Sequence, residues 1–376
     1  MNKTLFALLA SILLLSSCGR NRSVSATADG DTLHLKYARN LTIVRHEGFT
    51  EVSLSDPWNQ GKTLHRYALV PKGREVPAEA RQNGSTVVRV PVEKTVVGTS
   101  VLCGLIDGLG RRQAISGVCD VQYVNIPFVQ QGCKAGTIAD CGSGLAPTLE
   151  KIIDMEPESI FLSPFQNSGG YGRIEELDVP IVEMADYMEA SALGRAEWVR
   201  FYGMLLGAER QADSLFASVE KDYLQLKQLA AKASSSPSIL MDKLTSSVWY
   251  VPAGHSSVGG IIRDANIRYA WSDNGQGGSL PLPLETILEK AGQADLWLFR
   301  YNSPQPADYR SLLTENPAYN QLRAFKEHRA YGCNTATTTF YEDTPFHPNL
   351  LLRDFICIAH PELQLGEPRY FLPVRE

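Results

Sequence analysis

One uninterrupted stretch of helix-forming sequence restricts the fold more than any other feature. AERQADSLFASVEKDYLQLKQLAAKA, residues 208–233, contains neither glycine nor proline. Its apolar residues recur at spacings of three and four, which places them on one side of a helix. They are Ala212, Leu215, Phe216, Val219, Tyr223, Leu226 and Ala230. Such a helix is roughly 35–40 Å long at 1.5 Å per residue. That exceeds most helices within one small domain, so we predict that it connects two separately folded halves.

Strand-like and helix-like segments alternate on both sides of this stretch. PTLEKIIDMEPESIFLSP before it and LETILEKAGQADLWLFR after it each read as a helix followed by a buried strand. Such alternation predicts a mainly parallel sheet with helices on both faces. Residues 32–71 instead carry short alternating runs separated by turn signals, which is typical of antiparallel strands. We therefore predict an α/β fold with two doubly wound lobes joined by one long helix, and with an N-terminal antiparallel β extension.

The N-terminus predicts export and a lipid anchor. Lys3 precedes an apolar run, Leu5 to Leu15, that is too short to span a bilayer permanently. This is typical of a secretory signal. Leu15-Ser16-Ser17-Cys18 resembles the lipobox of bacterial lipoproteins, which implies cleavage before Cys18 and lipidation of its thiol. We therefore expect a protein of the cell envelope that is tethered to a membrane and faces the periplasm. Which membrane and which leaflet hold the lipid stays open.

These patterns divide the chain into six predicted units. They are a signal peptide at 1–17, a tether at 18–31, a β extension packed on the first lobe at 32–90, an N-terminal α/β lobe at 91–207, the connecting helix at 208–233 and a C-terminal α/β lobe at 234–376.

Composition and missing motifs exclude several functions. The formal charge of −5 gives no reason to expect nucleic acid. The sequence has no G-x-S-x-G elbow, no P-loop and no G-x-G-x-x-G fingerprint, so we predict neither an enzyme nor a bound cofactor. Six cysteines follow Cys18. Exported proteins can form disulfides, and Cys133 with Cys141 is the first pair to consider. The alternative is that these residues are small buried apolar groups.

Several motifs in a fixed order resemble a known family. VPIVEMADYMEASALGRAEWVRFYGMLLGAERQAD leads into the long helix, WYVPAGHSSVGGIIRDANIRYAW follows it, and YEDTPFHPNLLLRDFICIAHPEL comes near the end. Together, over roughly residues 90 to 365, they resemble the helical-backbone class of ABC-transporter substrate-binding proteins, and most of all its iron-chelate and cobalamin-binding branch. The β unit before residue 72 departs from the short core of that family.

This resemblance implies a partner and a docking mode. Members deliver a ligand to an ABC permease and dock on it through one acidic residue per lobe. Glu285, in LPLPLETIL, matches the second-lobe position. The first-lobe match is poor, which leaves Glu176 and Glu189 as candidates. We expect a monomer.

Candidate ligand contacts follow the strands, because ligands of open α/β sheets lie outside the carboxyl ends of the strands. Aromatic rings dominate the set, and they suit a large planar or conjugated ligand. The first-lobe candidates are Thr99, Ser100, Tyr123, Phe165, Gln166 and Tyr171, and the second-lobe candidates are Trp249, Tyr250, His255, Ser256, Trp271, Arg300 and Tyr341. Two alternatives stay open for Arg300, an anion contact or a structural salt bridge. His255 is either an axial ligand of a bound metal or an ordinary surface histidine.

The arrangement of the histidines argues against a free metal ion as the ligand. A free transition-metal ion needs several closely held ligands. The seven histidines are scattered, with no HxH or HExxH motif and no His-rich loop. We therefore predict a bulky ligand whose metal is already coordinated by an organic frame. The family resemblance implies that this metal chelate is a ferric siderophore, haem or cobalamin, captured in an interlobe cleft for an ABC importer. The alternative is a surface lipoprotein that captures ligand for an outer-membrane receptor.

Overall fold

The computed structural model describes residues 30–166 and 170–376. The predicted signal peptide, most of the predicted tether and Cys18 lie outside these residues. Within them, no helix combines the length and the apolar character needed to cross a membrane.

The N-terminal extension is a five-stranded sheet. Its strands, in the order β1-β2-β3-β4-β5, are β1 (Asp31–Leu33), β2 (Leu41–His46), β3 (Phe49–Ser55), β4 (Thr63–Pro71) and β5 (Thr86–Val90). The first four pair antiparallel, whereas β5 joins β4 in parallel. Alternate residues such as Ile43, Val52 and Leu54 are buried in the main core, as the period of two in a half-buried strand requires. One face of the extension therefore packs on the rest of the protein.

Two buried carboxylates also hold the extension on the first lobe. Glu197 Oε1 accepts the main-chain N–H of Lys36 (2.9 Å), and its Oε2 accepts those of Tyr37 (2.7 Å) and Ala38 (2.9 Å). Glu189 similarly accepts the main-chain N–H groups of Arg39 and Asn40, at 2.8–3.1 Å. Both glutamates are almost fully buried. Because each carboxylate satisfies several main-chain donors, the loop between β1 and β2 is fixed to the lobe.

The first lobe contains a parallel sheet whose strand order reverses in the middle. The sheet has the order β12-β11-β6-β7-β8, built from β6 (Thr95–Val97), β7 (Ile115–Val118), β8 (Ala139–Asp140), β11 (Ser159–Leu162) and β12 (Ile181–Glu183), and a small hairpin, β9 (Gly142–Ser143) with β10 (Ala146–Pro147), follows β8. The chain moves outward from β6 to β8 and then returns to place β11 on the other side of β6. This reversal is the topological switch point at which doubly wound sheets bind ligands.

Helices cover this sheet and lead into the connecting helix. The helices of the first lobe are α1 (Ser100–Gly108), α2 (Pro127–Ala135), α3 (Leu149–Met155), α4 (Ala192–Glu197) and α5 (Val199–Leu206). Gly207 ends α5 in the left-handed conformation with φ +61°. The connecting helix α6 (Glu209–Ala230) follows as one unbroken helix of 22 residues, roughly 33 Å long. It buries Phe216, Val219 and Tyr223 from the predicted apolar stripe.

The second lobe repeats the architecture with a different strand order. Its main sheet is β16-β13-β18-β19-β20, from β13 (Ser238–Met241), β16 (Arg268–Tyr269), β18 (Leu296–Tyr301), β19 (Ala330–Asn334) and β20 (Leu372–Pro373), and a second sheet is β14-β15-β17, from β14 (Leu244–Thr245), β15 (Val248–Pro252) and β17 (Ser279–Leu282). Only β20 is antiparallel in the main sheet. The helices are α7 (Ser257–Asp264), α8 (Leu284–Ala291), α9 (Tyr309–Glu315), α10 (Arg323–Lys326), α11 (Phe340–Asp343) and α12 (Pro348–Ala359).

The carboxyl ends of the two sheets face each other. Asn125, a few residues after β7, donates through Nδ2 to the carbonyl oxygens of Thr335 (2.7 Å) and Thr338 (2.8 Å), which follow β19. Glu342 Oε1 accepts the main-chain N–H of Asn125 at 2.8 Å. Gly104 of α1 lies so close to α11 that a Cβ there would sit 2.6 Å from the carbonyl oxygen of Glu342. The predicted fold class, two doubly wound lobes joined by one long helix, is thus confirmed.

The disulfide suggested for Cys133 and Cys141 is absent. All six cysteines of the described ranges are free thiols. Cys141 packs with Cys119 on one face of the first-lobe sheet, whereas Cys133 packs into the main core on the other face. The sheet itself therefore separates the two thiols, and the alternative of small buried groups describes Cys141 well.

Candidate functional site

A cavity of about 790 Å³ opens at the carboxyl ends of the first-lobe strands. Thr99 follows β6, Asp120 follows β7, Phe165 follows β11 and Asp186 follows β12, and all four line it. The cavity therefore lies at the switch point between β6 and β11, within the size range of small-molecule sites. Every residue that lines it belongs to the first lobe.

Thr99 supplies an unsatisfied hydroxyl to this cavity. It lies just before α1, but its side chain caps no main-chain N–H of that helix. Its Oγ1 is buried and has no hydrogen-bond partner among the described residues. Buried polar groups are normally paired, so an orphan hydroxyl in a cavity wall is a candidate for bonding a ligand.

Tyr171 is held in the cavity wall by a contact that reaches the extension. Its phenol donates to Glu183 Oε1 at 3.2 Å, and the main-chain N–H of Glu183 donates to Tyr67 Oη at 2.8 Å. His65, stacked on Tyr67, places Nδ1 at 3.5 Å from Glu183 Oε2. Burial, together with the nearby Glu183 carboxylate, raises the pKa of Tyr171 well above its usual range. Tyr171 therefore stays a neutral phenol, and residues of β4 support its position.

The one arginine in the wall is neutralised by a buried aspartate. Arg195 Nε donates to Asp186 Oδ2 at 2.9 Å, and Tyr202 donates its hydroxyl to Asp186 Oδ1 at 2.8 Å. Asp186 is only 2% exposed. The neighbouring Tyr187 donates to the carbonyl oxygen of Pro164 at 2.6 Å. Burial, with Asp186 nearby, raises the pKa of Tyr187 to about 12, so this phenol is also neutral.

The hairpin β9–β10 brings an apolar side chain to the rim. Leu145 at its tip is 81% exposed, although it is a large apolar residue. The main-chain N–H of Gly144 donates to Asp120 Oδ2 at 2.9 Å, and this bond fixes the hairpin to the end of β7. A Cβ at Gly144 would lie 3.0 Å from the same carboxylate oxygen, so the close approach favours glycine.

Three of the six first-lobe candidates come together in the cavity: Thr99, Phe165 and Tyr171. The other three do not line it. Ser100 is the first residue of α1, and Tyr123 and Gln166 are exposed on the turns that follow β7 and β11.

The second-lobe candidates lie elsewhere, and four of them need correction. Trp249 is fully buried and donates Nε1 to the carbonyl oxygen of Met241 at 2.8 Å, so it belongs to the lobe core. Trp271 is buried against Tyr269. Ser256 is buried, and its side chain accepts the N–H of Gly259 as the cap of α7.

Arg300 makes the structural salt bridge rather than a free anion contact. It forms two parallel hydrogen bonds with Asp242, Nε to Oδ1 at 2.8 Å and Nη2 to Oδ2 at 2.7 Å. Although burial alone would lower it, the paired carboxylate holds the pKa of Arg300 above its usual value. The remaining second-lobe candidates, Tyr250, His255 and Tyr341, are exposed. His255 lines a separate cavity of about 390 Å³ beside α4, α6 and α7.

The docking candidates divide by exposure. Glu285, in the first turn of α8, and Glu176 are exposed, as a rim contact requires. Glu189 is 3% exposed and holds main-chain N–H groups of the extension, with Trp198 Nε1 donating to it as well (2.9 Å). Its carboxylate is therefore committed to the fold, and we remove it from the docking candidates.

Sequence reasoning missed most of the cavity residues, and five of these carry charged, phenolic or exposed apolar side chains: Asp120, Leu145, Asp186, Tyr187 and Arg195. The rule that ligands lie at strand ends finds three of them when it is applied to every strand, because Asp120 follows β7 and Asp186-Tyr187 follow β12. Leu145 and Arg195 reach the cavity from a hairpin and from a helix, and no strand pattern marks them. Across the ranges 30–166 and 170–376, no group of three His, Cys, Asp or Glu side chains could hold a metal ion.

The sequence matches a known protein family. Residues 115–337 match the family described as "Periplasmic binding protein". The chain belongs to the periplasmic binding protein family. Among curated proteins, an uncharacterized lipoprotein of Methanocaldococcus jannaschii is 26% identical over 360 residues, covering 90% of this chain and 84% of the relative.

Two solved structures of binding and transport proteins align with this fold. A periplasmic heme binding protein from Pseudomonas aeruginosa aligns with a TM-score of 0.58 at 13% identity, covering 76% of this chain and 99% of that one. An ABC-type Fe3+-hydroxamate transport system protein from Saccharomonospora viridis aligns with a TM-score of 0.55 at 15% identity, covering 72% and 93%. These alignments show that the protein shares the fold of both binding proteins.

Proposed function

We propose that this protein captures a metal chelate in the first-lobe cavity, against the facing second lobe, and delivers it to an ABC importer. The observation that carries the proposal is the cavity of about 790 Å³ at the switch point, at strand ends that point toward the second lobe. The heme and Fe3+-hydroxamate proteins of the same fold support a chelate as the ligand class.

The walls of the cavity suit such a ligand. Leu145 and Phe165 offer exposed apolar surface, and Thr99 and Tyr171 offer hydroxyl groups. Most small-molecule sites combine a largely apolar wall with a few well-placed polar groups in this way. The chelating frame already coordinates the metal, so the protein needs no metal ligands of its own.

Closure of the lobes on the ligand is small in this mechanism. The connecting helix α6 is continuous, and Asn125 and Gly104 already hold the two lobes together on one side of the gap. A helix is stiffer than the loops that act as hinges in other binding proteins. We expect small-angle scattering to give nearly the same radius of gyration with and without ligand.

Delivery depends on anchoring and docking. Lipidation of Cys18 would confine the protein to a thin layer at a membrane, which raises its effective concentration near the permease. Glu285 in the second lobe and Glu176 in the first are the exposed acidic groups proposed to meet arginines of the permease. Rim charges of this kind fix register and speed encounter more than they add affinity.

Binding is tested by titrating the purified chain with ferric siderophores, haem and cobalamin in a calorimeter. One of them should bind with a submicromolar Kd and without turnover. Leu145→Ala should weaken that binding by about five- to tenfold, since it removes apolar surface from the rim. Leu313→Ala, an exposed leucine on α9, is the matched control and should leave the Kd unchanged. Absence of binding by every chelate would refute the proposal.

Delivery is tested separately in cells that depend on the chelate for iron or cobalamin. Glu285→Ala should reduce uptake while the Kd of the purified protein stays the same. Uptake that persists without the ABC permease, but requires an outer-membrane receptor, would favour the alternative of a surface lipoprotein.

A further inference from the structure

The charges around the cavity define the ligand more narrowly. Resting on the proposed function, we infer that the chelate is neutral or cationic and carries an apolar face, and that the site discriminates against anionic chelates. The inference comes from which charged groups at the facing strand ends have an ion-pair partner and which do not.

The first lobe offers no free positive charge to the cavity. Its wall contains three charged side chains, Asp120, Asp186 and Arg195. Arg195 is bound to the buried Asp186, whose second oxygen is occupied by Tyr202, so this pair contributes no net charge. Asp120 forms no ion pair with any cation of the described residues. Its carboxylate accepts one hydrogen bond, from the main-chain N–H of Gly144. The formal charge of the wall is therefore −1.

The facing strand ends of the second lobe do not reverse this balance. Arg300, at the end of β18, is held by both oxygens of Asp242. Lys243, directly after Asp242, forms an ion pair with Glu315. Both cations at this position therefore already have a carboxylate partner, and neither can bind an anionic ligand without leaving it.

An anionic chelate would lose its hydration in this cavity without gaining a cation. Transfer of a charged group out of water is unfavourable unless the group is paired, and the carboxylate of Asp120 would repel it further. A neutral chelate avoids both penalties, and a cationic one gains from Asp120. Leu145, 81% exposed, and Phe165, 51% exposed, would then cover an apolar part of the ligand.

Two sets of probes separate the effect of ligand charge from the effect of ligand size. The first compares a neutral ferric trihydroxamate and a cationic ferric trihydroxamate with a trianionic ferric tricatecholate. The second compares cobalamin, with its neutral amide periphery, with haem, which carries two carboxylates. Within each set in which any member binds, the neutral or cationic member should bind about tenfold or more tightly than the anionic member, measured as Kd by calorimetry at fixed salt.

Asp120→Asn tests the source of the discrimination. Asparagine keeps an oxygen for Gly144 N–H and tolerates the left-handed backbone of this position, φ +50°. The variant should bind the anionic member about tenfold more tightly and the cationic member more weakly, while Asp154→Asn, an exposed residue of α3, should change neither. Tighter binding of the anionic member by the unmodified protein would overturn the inference and leave the proposed function intact. Failure of all five probes to bind would overturn both.

Discussion

Glu197 offers the sharpest test of how the extension is attached. Its carboxylate accepts three main-chain N–H groups, from Lys36, Tyr37 and Ala38, at 2.7–2.9 Å, and it is 1% exposed. In Glu197→Gln, the amide oxygen can keep the two bonds to Tyr37 and Ala38. The amide NH2 group then faces the N–H of Lys36, so a partly buried donor loses its acceptor.

The magnitude follows from these bonds. Leaving a buried donor unpaired costs about 1–3 kcal/mol, the partly buried N–H of Lys36 lies at the lower end of this range, and the two remaining bonds lose their charge assistance. We therefore expect Glu197→Gln to lower the free energy of unfolding by about 1–3 kcal/mol. Urea-induced unfolding followed by circular dichroism measures this, and limited proteolysis should cut within residues 30–90 earlier than in the unmodified protein. Glu47→Gln, on an exposed turn of the extension, is the control. A loss no larger than that of the control would refute the reasoning.

Three further predictions concern the lobe interface, the acid limb of stability and the second-lobe core. Gly104→Ala places a methyl group 2.6 Å from the carbonyl oxygen of Glu342; it should cost about 1–3 kcal/mol in denaturant unfolding and widen the gap between the lobes in small-angle scattering. Although burial alone would raise it, hydrogen bonds and nearby arginines, including Arg323, hold the pKa of Asp295 below its usual value. Its stabilisation is therefore present above the unfolded-state pKa of about 3.9 and is lost as the pH falls through the lower folded-state value, so Asp295→Asn should flatten the fall of the melting temperature below about pH 4. Trp249→Phe should cost about 2–4 kcal/mol in urea unfolding without changing chelate affinity, whereas a weaker Kd would restore Trp249 as a ligand contact.

Periodicity made the architecture predictable. The spacing of apolar residues and the lack of glycine and proline predict the long helix. The α/β alternation is predicted because the apolar pattern changes between the helical period of about 3.6 residues and the strand period of two. The strand-end rule then placed Thr99, Phe165 and Tyr171 in one cavity, because topology brings together residues that follow neighbouring parallel strands.

Residue type alone could not separate core from cleft. Trp249 lies in a strand-like segment where a cleft residue was expected, but its indole N–H donates to the carbonyl oxygen of Met241 inside the lobe. Arg300 reads as a free charge until Asp242, 58 residues earlier in the chain, is brought beside it. Glu189 likewise reads as a surface acid, and only the folded extension shows which main-chain groups it accepts. These partners depend on tertiary structure, which local pattern does not encode.

The attachment of the extension also determines which part of the protein would bear tension from an N-terminal membrane anchor. A membrane anchor N-terminal to Asp31 would connect to the fold next to the loop that Glu189 and Glu197 hold on the first lobe by hydrogen bonds. Tension from a membrane anchor would thus act first on the lobe that contains the cavity, and it would reach the second lobe only through α6 and the contacts at Asn125 and Gly104.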